Sequence, residues 1–262
     1  YYMDLSVKAQ YASYGIMNDH VSFLFNSILM DDCIARGKAL LDGGVRYLGG
    51  TCETYGNINA SDSLMAVKHL VFDTGKYTLP QLETAMLANF EGYEEIRKDC
   101  IACDKYGNDL DTADGMANDF YEFIAKGIRD RGIAIGMQYY LIVISNNSLN
   151  TEWGIRTGAS PDGRLSGMYM NPANNPQGGA DKNGPTALLN SLATFDAKYH
   201  AGSVQNIKFS RSMFNGELEN AMVHPEKYPD LIVRVAGYSA VFVNLDRSVQ
   251  EELLSRSLYE EA

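Results

Sequence analysis

The stretch Leu231-Ile232-Val233-Arg234-Val235-Ala236-Gly237-Tyr238-Ser239 is the part of the sequence on which the assignment of the fold depends. Its first five residues are mostly aliphatic, two of them are valines and one is isoleucine, and together they predict a strand over residues 231–235. Gly237 follows this strand, where a glycine is usually a turn residue that needs a positive φ. On spacing alone, a turn is favoured over any chemical role for Gly237.

A second unusual segment lies upstream of this strand, between residues 157 and 186. It contains Gly158-Ala159-Ser160-Pro161-Asp162-Gly163-Arg164 and ends in Asp181-Lys182-Asn183-Gly184-Pro185-Thr186. A connection of this length without regular structure is uncommon inside a compact domain unless it carries function. The alternative is a solvated surface excursion, and the density of residues suited to special backbone geometry argues against it.

The rest of the chain predicts a helix-rich protein with scattered buried strands, which is typical of the α/β class. Apolar residues at three- and four-residue spacing, with glycine and proline between them, set the expected elements. Helices are predicted over residues 7–41, 61–71, 78–90, 93–100, 113–129, 186–191 and 247–258, and strands over residues 45–48, 139–145 and 231–235.

The composition excludes several classes of protein. The chain has 262 residues, of which 45% are hydrophobic, and a formal net charge of −11. These values argue against a disordered or disulfide-stapled chain and against broad binding to nucleic acid. Cys100 and Cys103 are one helical turn apart and are interpreted as packed side chains, and the scattered histidines indicate no metal site. No apolar run is long enough to span a bilayer.

The motif Arg234-Val235-Ala236-Gly237-Tyr238-Ser239 resembles the radical-bearing segment near the C-terminus of the glycyl radical enzymes. This family includes pyruvate formate-lyase, the glycerol, propanediol and hydroxyproline dehydratases, choline trimethylamine-lyase and benzylsuccinate synthase. Further segments resemble family signatures in the expected order and extend the resemblance over nearly the whole chain. They are Ala60-Ser61-Asp62-Ser63-Leu64, Asn89-Phe90-Glu91-Gly92-Tyr93, Lys105-Tyr106-Gly107-Asn108-Asp109, the two segments quoted from residues 157–186, His224-Pro225-Glu226-Lys227-Tyr228-Pro229-Asp230 and Val249-Gln250-Glu251-Glu252-Leu253.

The resemblance implies an α/β fold that forms the C-terminal part of a ten-stranded β/α barrel. The radical glycine would lie on a loop inserted into that barrel. Residues 1–215 would belong to the catalytic barrel. Residues 216–262 would carry the radical loop and a closing helix, as part of a glycine radical domain that in the family starts further upstream.

The resemblance also implies that Gly237 stores a post-translational radical. A planar Cα radical is delocalised between the amide nitrogen and the carbonyl group, and glycine has no Cβ to crowd the planar centre. Apolar neighbours on both sides of the motif suit a loop that is shielded from water and oxygen. The expected loop environment of Gly237 is Arg234, Val235, Ala236, Tyr238 and Ser239, flanked by Val233, Val241 and Phe242.

Several partners follow from the same resemblance. An activating enzyme that uses S-adenosylmethionine and a [4Fe–4S] cluster would generate the radical in trans, and no bound organic cofactor is expected. The radical would pass to a cysteine, whose thiyl acts on a small-molecule substrate. The full-length enzyme is expected to be a homodimer in the cytoplasm of an anaerobic organism or under anaerobic conditions, without a nucleic-acid or membrane partner.

Two features of the chain depart from the family pattern. The family's thiyl cysteine lies in a Gly-Cys-x-Glu loop that is expected upstream of Tyr1, and the nearest local imitation is Gly50-Thr51-Cys52-Glu53. Cys52 and Glu53 are therefore weak active-site candidates. Family members also carry a few dozen more residues at the junction of Gly216 and Glu217. A true deletion and an incomplete sequence both explain that junction, and the intact flanking motifs favour the second.

The reaction is the least determined property at this level. The first expectation is a formate C-acetyltransferase-like enzyme that cleaves or forms C–C bonds on a small polar metabolite. The alternative is a dehydratase or lyase that eliminates water, an amine or sulfite from a diol-like substrate. A third class is a radical-carrying replacement subunit or a non-catalytic fragment. Asn146 and Asn147 are candidates to face a polar substrate, although a strand followed by a turn is the simpler interpretation.

Overall fold

The structure is a computed structural model that describes residues 1–21, 23–144, 148–209, 217–235, 238–255 and 258–259. The chain divides into two compact units that are discontinuous in sequence. The first comprises Tyr1–Glu53, Glu122–Val143 and Ala197–Gly202. The second comprises Thr54–Tyr121, Ile144–Asp196 and Ser203–Ala262.

The described residues form α-helices and short strands in mixed order, as predicted for an α/β protein. The helices are α1 (Tyr2–His20), α2 (Leu24–Leu29), α3 (Cys33–Arg36), α4 (Asn57–Val67), α5 (Leu79–Leu87), α6 (Glu94–Ala102), α7 (Asp111–Ala134), α8 (Leu149–Ile155), α9 (Gly184–Ala193), α10 (Glu217–Val223) and α11 (Arg247–Ser255). The strands are β1 (Gly49–Glu53), β2 (Tyr139–Ile144), β3 (His200–Ser203), β4 (Lys208–Phe209), β5 (Ile232–Arg234), β6 (Ser239–Val241) and β7 (Leu258–Tyr259).

The first unit is built around a three-stranded sheet in the order β1-β2-β3. The predicted strand at residues 139–145 is confirmed as far as Ile144, and its alternate residues Tyr140, Ile142 and Ile144 are buried. The predicted strand at residues 45–48 is wrong, because the strand starts at Gly49 and pairs in parallel with β2. A Cβ at Gly49 would collide with the carbonyl oxygen of Tyr139, so glycine permits the pairing here instead of ending the strand.

The continuous helix predicted over residues 7–41 is also wrong. The structure has α1, α2, α3 and a 3-10 turn at Leu40–Asp42 in its place. Phe23, Asp32 and Gly37 have φ values of 45°, 72° and 62°, and a left-handed residue cannot continue a right-handed helix. The helical spacing of apolar residues therefore continues along the sequence, although the positive φ values interrupt the helix at these three residues.

The second unit contains a core built by α4, α5 and α6. Its buried residues include Leu70, Leu82 and Phe90, together with the free thiols of Cys100 and Cys103. Burial raises the pKa of Cys100 to about 12, which keeps this thiol neutral and supports packing as the role of the cysteine pair.

The ends of these helices follow local sequence signals with one exception. Thr78 and Gln81 form the reciprocal capping box that starts α5 at the predicted position. The predicted start of a helix at Ser61 is wrong, since α4 begins at Asn57 after Gly56, whose φ is 72°. Asp62 therefore lies inside the helix and is buried, with an exposed fraction of 1%.

The remaining predictions differ mainly at their boundaries. The helix predicted over residues 113–129 is longer in the structure and extends over Asp111–Ala134. The closing helix predicted to residue 258 ends at Ser255, and α8 was not predicted. Within the residues that the structure describes, no helix is both long and apolar enough to cross a membrane.

Candidate functional site

The motif around Gly237 forms an antiparallel hairpin in the second unit. β5 pairs with β6 through Ile232 and Val241, Val233 and Ala240, and Arg234 and Ser239. The Val235 amide donates a hydrogen bond of 3.1 Å to the Tyr238 carbonyl oxygen, which closes the ladder at its tip. The two residues between them, Ala236 and Gly237, lie outside the described residues. The sequence thus places Gly237 in a two-residue connection at the end of the hairpin.

A small apolar cluster supports the hairpin from one side. Val235 and Phe242 are buried with exposed fractions of 1% and 0%, and they pack with Ala221, Val249 and Leu253. Hydrogen bonds to the backbone of Phe242 also fix the segment that follows β6. The Phe242 amide donates to the Leu231 carbonyl over 2.7 Å, and the Gln250 side chain donates to the Phe242 carbonyl over 2.9 Å.

The apolar flanks predicted from the sequence are buried to different degrees. Val235 and Phe242 are buried, whereas Val233 and Val241 are half-buried. Arg234, Tyr238 and Ser239 are exposed, and Arg234 has an interaction partner. The hairpin therefore has one anchored side and one side with polar residues at the surface of this unit.

One side-chain hydrogen bond ties the tip of the hairpin to the rest of the unit. The hydroxyls of Tyr238 and Ser148 are 3.0 Å apart. Ser148 precedes α8 and has a φ of 74°, a conformation that few residues other than glycine adopt readily. The candidates Asn146 and Asn147 directly precede Ser148 in sequence and lie outside the described residues.

Replacement of Tyr238 by Phe should loosen the tip of the hairpin. The substitution removes the bond to Ser148 and keeps the ring, and a partly exposed neutral hydrogen bond contributes about 0.5–1 kcal/mol. We expect hydrogen exchange of the β6 amides to accelerate about two- to fivefold. Tyr93→Phe removes a hydroxyl from another surface tyrosine of the same unit and should leave these amides unchanged. Equal protection in the Tyr238 variant and the parent protein would show that the bond does not hold the tip.

Cys52 and Glu53 lie in the first unit, on β1. The Cys52 thiol is half-buried, and its sulfur is 3.6 Å from the Ser6 hydroxyl. Tyr140 is next to this thiol, and burial raises the pKa of Tyr140 to about 12. Consecutive residues of a strand point to opposite faces, so Cys52 and Glu53 do not present their side chains on one face. This geometry does not support a joint role for the two residues.

The loop between residues 157 and 183 contains a buried polar network that motif reading alone did not identify. The backbone amide of Asn171 donates to the side-chain oxygen of Asn59 over 2.6 Å. The side-chain NH2 group of Asn59 donates to the Asp162 carboxylate over 2.6 Å. The Tyr121 hydroxyl donates to the Asn174 side-chain oxygen over 2.7 Å. Asn59, Asp162, Asn171 and Asn174 are all buried, so this segment is not a solvated excursion. Its signals in the sequence were the density of asparagine, glycine and proline and the resemblance of its two ends to family signatures.

Comparison with known proteins shows the family to which the chain belongs. The family model "Pyruvate formate lyase-like" matches residues 1–151, which is more than half of the chain. The model "Glycine radical" matches residues 170–217 and 213–243, and the second piece contains the hairpin and Gly237. The chain therefore belongs to the pyruvate formate lyase-like family of glycyl radical enzymes.

Individual relatives are similar over almost the whole chain. Trans-4-hydroxy-L-proline dehydratase of Clostridioides difficile is 32% identical, over 98% of this chain and 36% of that protein. (2S)-3-sulfopropanediol dehydratase of Klebsiella oxytoca is 31% identical, over 88% of this chain and 32% of that protein. The solved structure of glycerol-bound B12-independent glycerol dehydratase from Clostridium butyricum has a TM-score of 0.89 and 32% identity, over 99% of this chain and 37% of that chain. The chain thus spans about a third of the length of these relatives.

The same comparisons bear on the junction of Gly216 and Glu217. The two pieces of the glycine radical match meet at residues 213–217. The alignment with hydroxyproline dehydratase extends over 288 positions, more than the 262 residues present here. The first finding agrees with the expectation that relatives carry additional residues at this junction, and the second shows that the alignment contains positions without a counterpart in this chain. The junction itself lies at the edge of the described residues.

Proposed function

We propose that this chain is the C-terminal part of a glycyl radical lyase that stores its radical on Gly237. The observation that carries the proposal is the β5–β6 hairpin, which has the glycine motif at its tip and is anchored by the buried side chains of Val235 and Phe242. In this proposal residues 1–215 contribute to a ten-stranded β/α barrel, and residues 216–262 carry the radical loop and the closing helix.

The proposed reaction is an elimination, in which water or a similar group leaves the carbon beside a hydroxyl-bearing carbon. Two of the relatives act on hydroxyproline and sulfopropanediol as dehydratases, and the structural relative is a glycerol dehydratase. These relatives favour elimination over the formate C-acetyltransferase-like reaction that was the first expectation. A diol-like or hydroxylated small molecule is therefore the proposed class of substrate.

The proposed relay moves one hydrogen atom at a time. The Gly237 radical takes a hydrogen atom from a cysteine, so that a Cα–H bond forms and the S–H bond breaks. The resulting thiyl takes a hydrogen atom from a C–H bond of the substrate. A carboxylate close to the substrate hydroxyl would act as general base for the elimination.

The cysteines of this chain do not suit the thiyl position. Cys33, Cys100 and Cys103 are buried, and Cys100 and Cys103 pack in the apolar core formed by α4, α5 and α6. Cys52 is half-buried beside Ser6, and its neighbour Glu53 points to the opposite face of β1. The proposal therefore places the relay cysteine and its carboxylate in a part of the enzyme that these 262 residues do not contain.

Activation requires the hairpin to leave its place and meet a second protein. The exposed side of the hairpin and its three-pair ladder support this step, because few contacts must break for the tip to move. The proposed partner is an activating enzyme that uses S-adenosylmethionine and a [4Fe–4S] cluster. A replacement subunit that carries only the radical segment is the less favoured alternative, because the family match extends back to residue 1.

The proposed reaction class is tested with a panel of substrates. The enzyme that contains this chain is activated under strict anaerobiosis and offered glycerol, propane-1,2-diol, trans-4-hydroxy-L-proline and 3-sulfopropanediol, and separately pyruvate with coenzyme A. We expect turnover of at least one hydroxylated substrate, with release of water, and none of pyruvate. Formation of acetyl-coenzyme A and formate would contradict the proposed elimination, and the enzyme before activation serves as the control.

A further inference from the structure

A cavity of about 170 Å³ lies in the second unit, between α4, the end of α6 and the loop that follows residue 157. Six ionisable side chains line it, and four of them are cationic. They are Asp62, Arg97, Lys105, Asp162, Arg164 and Lys182. Five of the six residues lie in segments that resemble family signatures, all but Arg97, and the radical hairpin does not explain this collection of charges.

Asp62 lines this cavity and has a buried polar atom without a partner. One carboxyl oxygen accepts a hydrogen bond of 3.0 Å from the Tyr106 amide, and the other has no partner among the described residues. Burial raises the pKa of Asp62 to about 8, so the carboxyl is protonated at neutral pH. Since the first oxygen accepts, the proton belongs on the second oxygen, which becomes a buried donor. A buried donor of this kind calls for an acceptor.

The cations supply the charge that such an acceptor would need. Arg97 donates its Nε–H to the Gly163 carbonyl over 2.9 Å, and its terminal nitrogens have no hydrogen bond within the described part of the chain. The Lys182 side chain lines the cavity and is exposed to solvent, and its ammonium group has no hydrogen bond among the described residues. Lys105 donates to the carbonyls of Cys100 and Cys103, which position its charge without neutralising it.

The negative charge at the cavity is smaller than this positive charge. Asp162 is the carboxylate that faces it, and its oxygens accept from Asn59, Ser160 and the Arg164 amide. The Arg164 guanidinium donates to backbone carbonyls and to the Ser160 hydroxyl, and the nearby Asp162 carboxylate stabilises its charge. The lining therefore has a net positive charge while Asp62 is protonated, and it attracts anions.

We propose that this cavity binds a small oxyanion, which accepts a hydrogen bond from Asp62 and is neutralised by Arg97 and Lys182. The ligand class comprises sulfate, inorganic phosphate and the carboxylate group of a small metabolite. The bound anion would connect α4, α6 and the loop after residue 157 through one ligand. This inference does not depend on the proposed radical chemistry, because the residues that line the cavity include neither Gly237 nor any residue of the β5–β6 hairpin.

Calorimetric titration of the purified protein with sodium sulfate at pH 7 and constant ionic strength tests the site. We expect saturable binding at one site per chain. Lys182→Gln removes an exposed cation at the mouth and should weaken sulfate binding about tenfold or more. Lys98→Gln is the matched control, because Lys98 is an exposed lysine on α6 that does not line the cavity. Parallel titrations with phosphate and acetate distinguish the sources of the oxyanion.

The pH dependence of sulfate binding tests the role of Asp62. Sulfate keeps its charge between pH 7 and pH 9, whereas Asp62 loses its proton in this interval, given its pKa of about 8. The groups that set this titration are Tyr106 through its amide, Lys105, Asp162 and Asp114. We expect binding to weaken by up to about tenfold from pH 7 to pH 9, because the protonated fraction of Asp62 falls about tenfold over this interval. Asp62→Asn, which retains an N–H donor, should lose this dependence.

Three results would overturn the proposal. The first is the absence of saturable heat, which would mean that the cavity holds water alone. The second is an equal loss of affinity in Lys98→Gln and Lys182→Gln, which would indicate an adventitious ion only. The third is an affinity of the parent protein that does not change between pH 7 and pH 9. The Lys182 result stands by itself if Asp62→Asn fails to fold.

Discussion

Gly237→Ala should abolish the radical of this enzyme. After anaerobic activation, the parent protein is expected to show a doublet in the EPR spectrum, caused by the single hydrogen that remains on the Gly237 Cα. An alanine adds a Cβ to a centre that must become planar, and it removes one of the two hydrogens of the parent residue. We expect complete loss of both the doublet and turnover, with the fold retained by circular dichroism.

A glycine elsewhere provides the matched control for this experiment. Gly115 lies on α7, and a Cβ placed there would meet no atom within 4 Å. Gly115→Ala should therefore keep the doublet and the activity. Growth on α-deuterated glycine should collapse the doublet of the parent protein, since a deuteron couples more weakly than a proton. A doublet that survives in Gly237→Ala would place the radical on another residue.

Phe242→Ala should destabilise the support of the hairpin by about 3–5 kcal/mol, the usual cost of truncating a buried phenylalanine. Phe242 has an exposed fraction of 0% and packs with Val235, Val249 and Leu253. Its backbone bonds to Leu231 and Gln250 do not involve the side chain, so the loss should come from packing alone. Urea unfolding followed by circular dichroism measures the free energy of unfolding.

Ile232→Ala is the control for this truncation. Ile232 is, like Phe242, a large apolar residue in or next to the hairpin, but its side chain is exposed, with an exposed fraction of 67%. Surface truncations usually change the free energy of unfolding by less than about 0.5 kcal/mol. If the two variants were destabilised to the same extent, the apolar cluster would not be what supports the hairpin.

Local signals in the sequence predicted those parts of the fold that depend on neighbouring residues. The helix predicted from residue 78 and the strand predicted from residue 139 are examples, because a local capping box starts the helix and burial of one face stabilises the strand. The breaks at Phe23 and Asp32 could not be predicted, because neither residue usually adopts a positive φ. Their conformations reflect tertiary packing, which a single sequence does not display.

The candidate site divides in the same way. The motif around Gly237 is contiguous in sequence, so the glycine, its flanking strand and its family could be recognised together. The hydrogen bond between Asn59 and Asn171 joins residues 112 positions apart, and the bond from the Tyr106 amide to the Asp62 carboxyl joins residues 44 positions apart. Such contacts depend on how the chain closes on itself. The cation-lined cavity was therefore visible only in three dimensions.

The glycines that begin β1 have a consequence for the fidelity of assembly. A Cβ at Gly49 would meet Tyr139, and one at Gly50 would meet the Tyr14 hydroxyl and the Tyr140 ring. A strand shifted by one residue would place Thr51 in one of these crowded positions and would turn Cys52 to the face that Glu53 now occupies. The glycine pair thus favours the observed register of the parallel sheet over a register shifted by one residue, because the shifted strand would clash with the tyrosines.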